Sequence, residues 1–294
     1  MKTTSIYKAP SHITLIVFSA LMLLTISGCE KIAEKKPLTT AQEPVAAQVK
    51  ESSNLNTTLE AIPVVVPECQ GDICPQVDIK RFKSNYPLLD QAVEQYIFNY
   101  VKDLMQGFDD NEKEEAENEL QFYIDKFIQL ADEVKSLGSP VQFSLSILPQ
   151  LFTTNEQVVS VQILANNYVG GAHGSSAQQY INLDLEDNRL LRLEMVIEDG
   201  KQDAFNALAY AAFEQWFKET QPDTDLTEYQ QLWEFNLSEN FHLSPQGVVL
   251  QYGEYEIGPY AVGLPQLLIP YSKLQGILVA KYFPTQPTAS STAQ

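Results

Sequence analysis

Apolar positions recur every three or four residues downstream of Pro87, at Leu89, Ala92, Val93, Tyr96, Ile97, Tyr100, Val101, Leu104 and Phe108. A helix turns once in 3.6 residues, so this spacing gathers them on one face and predicts a long amphipathic helix. Proline suits its first turn because φ is already helical and the missing N–H has no intrahelical acceptor there. A second stripe, Leu120, Tyr123, Ile124, Phe127, Ala131 and Val134, predicts another helix. Between the two, Asp109 to Glu119 carries seven acids and one lysine. We read this run as a solvated face that favours the helix N-terminus through its dipole. A calcium loop would need alternating ligands and a central glycine, which are missing. Ahead of both helices, Val77 to Phe82 predicts a short strand.

From Val141 the period changes to two. Val141, Phe143, Leu145 and Ile147 alternate with polar residues, as do Val159, Val161 and Ile163, and then Ile181, Leu183 and Leu185. Asp187-Asn188 marks a tight turn into Leu190–Leu193, and the whole block predicts a curved antiparallel meander with one buried face. Two helices follow. The first is expected to bury Phe205, Leu208, Ala212, Phe213 and Trp216; the second starts at an Asp225-x-x-Glu228 capping pattern and points Leu232, Trp233 and Phe235 inward. Phe241–Leu243 and Val248–Tyr252 flank Ser-Pro-Gln-Gly, a type I turn sequence, and Leu267 to Pro270 reads as one more strand. The predicted class is α+β: a curved antiparallel sheet with helices packed on one face, preceded by a smaller strand-plus-two-helix unit.

The ends of the chain carry an address. Lys2 and Lys8 precede an apolar run from Ile13 to Ile26, too short for a comfortable span and typical of a secretory signal over residues 1–28. Its ending, Ile26-Ser27-Gly28-Cys29, resembles the bacterial lipobox, which implies lipidation of Cys29. Glu30 stands where retention in the inner membrane would favour aspartate, so the expected location is the outer membrane of a Gram-negative envelope. Residues 29–66 read as the lipidated cysteine and a disordered tether with a reach of ~35 Å, residues 67–138 as the smaller unit, 139–283 as the larger domain and 284–294 as a disordered tail.

Removing residues 1–28 deletes two lysines and no acid, which leaves 17 basic against 38 acidic side chains, a net −21. That surface repels nucleic acid and anionic lipid and suits a basic partner. Cys69 and Cys74 form a C-x4-C pair for which a disulfide is expected in an oxidising compartment; nothing nearby completes a metal's four ligands.

Two compact motifs remain. Tyr168-Val-Gly-Gly-Ala-His-Gly174 holds Gly170, Gly171, Gly174 and one of three histidines; Gly253-Glu-Tyr-Glu-Ile-Gly-Pro-Tyr-Ala-Val-Gly263 holds Tyr255, Glu256, Pro259 and Tyr260. With Asn182-x-Asp184, the Phe241 hairpin and Ile269-Pro-Tyr271, their order resembles the extracytoplasmic domain shared by the anti-sigma factor RsiV and the non-catalytic part of the peptidoglycan deacetylase PdaC. That resemblance covers about residues 140–280 and implies an envelope module; in RsiV the module binds lysozyme. It brings neither the sigma-binding segment nor a deacetylase domain, and three histidines, with His12 inside the signal, cannot supply that enzyme's metal site.

His173 has two readings. In the first, the glycines supply unusual backbone angles and His173 hydrogen-bonds a buried backbone group or Tyr255. In the second it is the centre of a small periplasmic hydrolase, partnered by Ser175, Asp184 or Glu256. No nucleophile elbow, His-Glu-x-x-His or phosphate loop is present, so no cofactor is expected and the first reading is preferred. Glu254 and Glu256 would share one face of a strand. His242 points outward if Phe241 and Leu243 are buried, and Tyr252, Tyr255, Tyr260 and Tyr271 form a core rim or a recognition surface. The function expected is a non-catalytic, lipid-anchored binding domain for a basic protein such as lysozyme, or for a cell-wall component such as peptidoglycan.

Overall fold

The computed structural model describes residues 55–71, 73–106, 119–153 and 157–284. Cys29, the signal, most of the acidic run and the tail from 285 lie outside them.

Six strands make the larger sheet, in the order β1 (Thr57–Ala61), β2 (Gln76–Ser84), β3 (Ser144–Thr153), β4 (Val158–Tyr168), β5 (Ser175–Asp184) and β6 (Arg189–Leu191). All neighbours are antiparallel except β2 and β3, which run parallel with Gln76 opposite Ser144. The chain between them forms α1 (Pro87–Gln106) and α2 (Leu120–Ser136), the long crossover that a parallel pair requires. The strand-plus-two-helix segment therefore shares its sheet with the meander. One expectation is corrected here: residues 57–61, assigned to the tether, form β1 on β2. Their side chains are mostly exposed, so this edge strand is held by its backbone ladder and leaves no hydrophobic period to read.

Alternation along β4 divides the sheet into two faces. Val159, Val161, Ile163 and Ala165 pack with Leu89, Val93, Ile97, Ile124 and Phe127 of the two helices. Ser160 and Gln162 face the other way, as does Tyr180 of β5. A second sheet of β7 (Phe241–Leu243), β8 (Gly247–Gln251) and β9 (Gln266–Pro270) packs there. Its far side, with Phe241, Leu243, Val248, Leu250, Leu267 and Ile269, closes a second core with α4 (Gln202–Thr220).

That placement overturns the reading of His242. Phe241 and Leu243 are buried, and so is His242, at 4 % exposure, because the small sheet is covered on both faces. Its ring lies against Tyr180 at 4.3 Å and Phe152 at 4.7 Å. Along α4 the fully buried positions are Phe205, Ala209, Phe213 and Phe217, while Leu208, Ala212 and Trp216 are only partly covered. Short helices α3 (Leu193–Val196) and α5 (Leu226–Gln230) complete the fold. Asp225 caps α5 by accepting from the N–H of Glu228. The helix ends after one turn, so Leu232, expected inside, is 79 % exposed.

Candidate functional site

The two motifs meet, and the sheet edge explains why. β6 pairs only with Asn182–Asp184, so the remaining outer edge of β5 has no strand beside it. Side chains take the place of that strand. Asn240 accepts from the N–H of Tyr180 and donates to the carbonyl of Gln178. Glu254 accepts from the N–H of Ser176 and from the Ser175 hydroxyl, both at 2.9 Å. A carboxylate bonded to a backbone N–H is a charge-assisted link, stronger than a neutral one. It ties residue 254 to residues 175–176 across the chain.

The loop before β5 is shaped by its glycines in two different ways. Gly170 and Gly171 adopt φ of 101° and 92°, a region side chains rarely enter. Gly174 has no such angle; a Cβ there would stand 2.6 Å from the carbonyl oxygen of Asn167. Tyr168 donates its hydroxyl to the carbonyl of Gly171 and closes the loop. Across the junction, Tyr260 donates to the carbonyl of Gly174 at 3.1 Å. Gly174→Ala is expected to cost about 2 kcal/mol, the scale of overpacking against unyielding backbone. A urea midpoint measured against the wild type checks it.

His173 is exposed, and its ring stacks on Tyr260 with centroids 3.6 Å apart and planes 18° apart. Its Nδ1 lies 2.9 Å from the carbonyl of Gly174. The hydrogen-bonding partner is thus a backbone group, as expected, though a partly exposed one, and the ring stacks on Tyr260 where Tyr255 was the aromatic expected. His173 makes no hydrogen bond to Ser175, Asp184 or Glu256 among the described residues. Ser175 is engaged by Glu254. Asp184 is buried elsewhere, bonded to Lys281 and Tyr282. The hydrolase constellation is thus not assembled. Among the described residues no group of three or more His, Cys, Asp or Glu is placed to hold a metal ion.

Residues 253–259 are not a strand, so the expected one-faced pair of Glu254 and Glu256 does not form. Glu256 turns back and accepts from the N–H of Gly253. Tyr255, between them, sits at φ 65° with half its surface exposed. A bulky residue in that region stores about 1–2 kcal/mol of strain. Its ring lies 6.0 Å from Tyr260 on one side and 6.3 Å from Trp233 on the other. His173, Tyr260, Tyr255 and Trp233 thereby form a continuous aromatic ridge. Of the other two tyrosines weighed for this surface, Tyr252 is buried and donates to the carbonyl of Asn236, and Tyr271 packs on Phe283. Sequence reasoning misses Trp233 as a ridge member, since it places that residue in the core.

Cys69 and Cys74 are joined by a disulfide with Cα atoms 5.7 Å apart. Lys135 of α2 donates to the carbonyl of Gln70, which fastens this exposed loop to the helix.

Residues 195–272 match the family model DUF3298, described as a protein of unknown function. The second motif lies inside that match and the first lies before it. The chain is similar to a solved DUF3298 family protein from Pseudomonas aeruginosa PAO1, with 26% identity, a TM-score of 0.61, and coverage of 80% of this chain and 99% of that one. A DUF3298 member from Bacteroides fragilis NCTC 9343 shares the fold at 17% identity and a TM-score of 0.53, covering 79% of this chain and 96% of its own. No curated protein matches the chain.

Proposed function

We propose that this is a non-catalytic binding domain of the bacterial cell envelope, and that the ridge of His173, Tyr260, Tyr255 and Trp233 is its contact surface for a basic protein. The observation that carries the reading is the ridge itself. Four neighbouring rings are held at a loop junction by Glu254 and Tyr260, and the half-exposed one is kept there at a cost in backbone strain. Tyrosine and tryptophan dominate binding hot spots because they offer large rigid area. Their faces also attract Arg and Lys. A net charge of −21 after removal of residues 1–28 steers such a partner inward. The resemblance to the RsiV domain makes lysozyme the first partner to try. In the same reading Cys29 is lipidated and the segment after it tethers the domain to the outer membrane.

The test is titration of the purified protein with a c-type lysozyme across a salt series, with muramidase activity followed in parallel. The expected result is saturable binding that survives physiological salt. Tyr255→Gly should weaken it by about 2 kcal/mol, near thirtyfold, with no loss of stability because the strain leaves with the side chain. Binding seen only at low salt, or binding indifferent to Tyr255, would count against the ridge.

A further inference from the structure

The loop closed by Cys69 and Cys74 stands apart from the packing of the fold, since neither cysteine belongs to either core. The two are 5 positions apart, and closing so short a loop removes little freedom from the unfolded chain. Stability is therefore a weak reason for the bond. Cys69 is exposed and Cys74 half-buried, and exposed disulfides are the ones that exchange with thiols. Lys135 singles out one of the two sulfurs. Its Nζ stands 3.7 Å from Sγ of Cys69 and 3.0 Å from the carbonyl oxygen of Gln70. An ammonium at a sulfur stabilises negative charge there and draws in a thiolate. On a chain of 38 acidic and 19 basic side chains, most of the surface repels that anion.

The same loop ends the strap, residues 62–75, that leads from β1 to β2. Gln121 grips Val65 at both its N–H and its carbonyl, Lys135 holds the carbonyl of Gln70, and Gln142 donates to that of Cys74. Two of these three fastenings act on the disulfide-closed ring. We infer that Cys69–Cys74 is a thiol–disulfide exchange site for a dithiol protein, entered at Cys69, and that its reduction releases the strap. A thiolate of the dithiol attacks Sγ of Cys69, forming a new S–S bond and breaking the old one. Cys74 leaves with the electron pair and takes a proton from water. The partner's second thiolate then attacks its own sulfur in the mixed bond and frees Cys69 as a thiolate beside Lys135. The partner is oxidised to a disulfide and this chain is reduced to two thiols. The inference goes beyond the protein-binding reading and shares no residue with it.

The experiment treats the folded full chain with glutathione, quenches with acid and maps the adduct by peptide mass. The adduct is expected on Cys69 in about fivefold excess over Cys74. Dithiothreitol should reduce the bond fully without denaturant. Lys135→Met should slow that reduction about fivefold at low salt, with the difference shrinking at high salt, while Lys135→Arg keeps the wild-type rate. In the reduced chain the amides of residues 62–75 should exchange with deuterium several times faster, and those of β4 and β5 at an unchanged rate. An adduct mainly on Cys74, or a rate indifferent to Lys135, overturns the entry point. A bond that opens only in urea overturns the site, and unchanged exchange in the strap overturns its release.

Discussion

Lowering the pH from 6.5 to 4 should remove about 3 kcal/mol of stability through His242 alone. Burial against Phe152 and Tyr180 lowers the imidazole's pKa from 6.5 to about 4, outweighing the opposing effect of the Leu243 backbone, and its Nδ1 has no hydrogen-bond partner among the described residues. In the unfolded chain the ring takes up a proton as pH falls through 6.5; in the folded one it resists until about 4. The unfolded state therefore binds the extra proton across this window. The stability is complete above 6.5 and lost on the way to 4, at about 1.4 kcal/mol for each pH unit that separates the folded from the unfolded pKa. Asp184 acts in a lower window. Burial opposes its charge, but hydrogen bonds from Lys281, the Asp187 N–H and Tyr282 outweigh that and hold its pKa below 3.8. Urea midpoints at pH 7 and 4.5 for the wild type and for His242→Phe isolate the effect: the variant should lose much less. An equal loss in both would place the acid sensitivity elsewhere.

Lys281→Met should cost about 3 kcal/mol at pH 7, the penalty for leaving a buried charge without its counter-ion. The Asp184 side chain is 1% exposed and lies 2.7 Å from Lys281 Nζ. Tyr282 donates to the same carboxylate, and the N–H groups of Glu186 and Asp187 cap its other oxygen. Lys281 also reaches Asp187, so one ammonium pins the last 3-10 turn to the β5–β6 turn. For a body of this size the loss corresponds to roughly 6–12 °C in Tm. The double variant Asp184→Asn, Lys281→Met should lose less than the two single losses together, since it leaves no stranded charge. Additive losses would mean that the pair contributes only packing.

How much of this is legible in the sequence depends on the range of the cause. Helices α1 and α2, strands β2 to β9 and the Asp225 cap arise from local spacing and capping, but the alternation marks only parts of the long strands: β3 runs on to Thr153, β4 to Tyr168, and β5 begins as early as Ser175. Ser160 and Gln162 read as the wet face of a one-sided sheet, yet Ser160 is fully buried. A second sheet covers that face, and nothing in a period of two says so. The outward reading of His242 fails for the same reason. At the site, the glycines and tyrosines mark the right loops. The bond from Glu254 to Ser176 joins residues 78 positions apart, and no local pattern encodes it. Nor does sequence announce that Tyr255 takes a backbone conformation usually left to glycine; only surrounding structure can impose it.

The way Asn240 and Glu254 occupy the rim of β5 bears on the behaviour of the protein at high concentration. A bare strand rim is a template on which another chain can lay down a strand. Here two side chains answer those backbone groups one at a time and leave no repeating ladder to extend. The same contacts that join the motifs thus deny this rim to a strand from a neighbouring molecule.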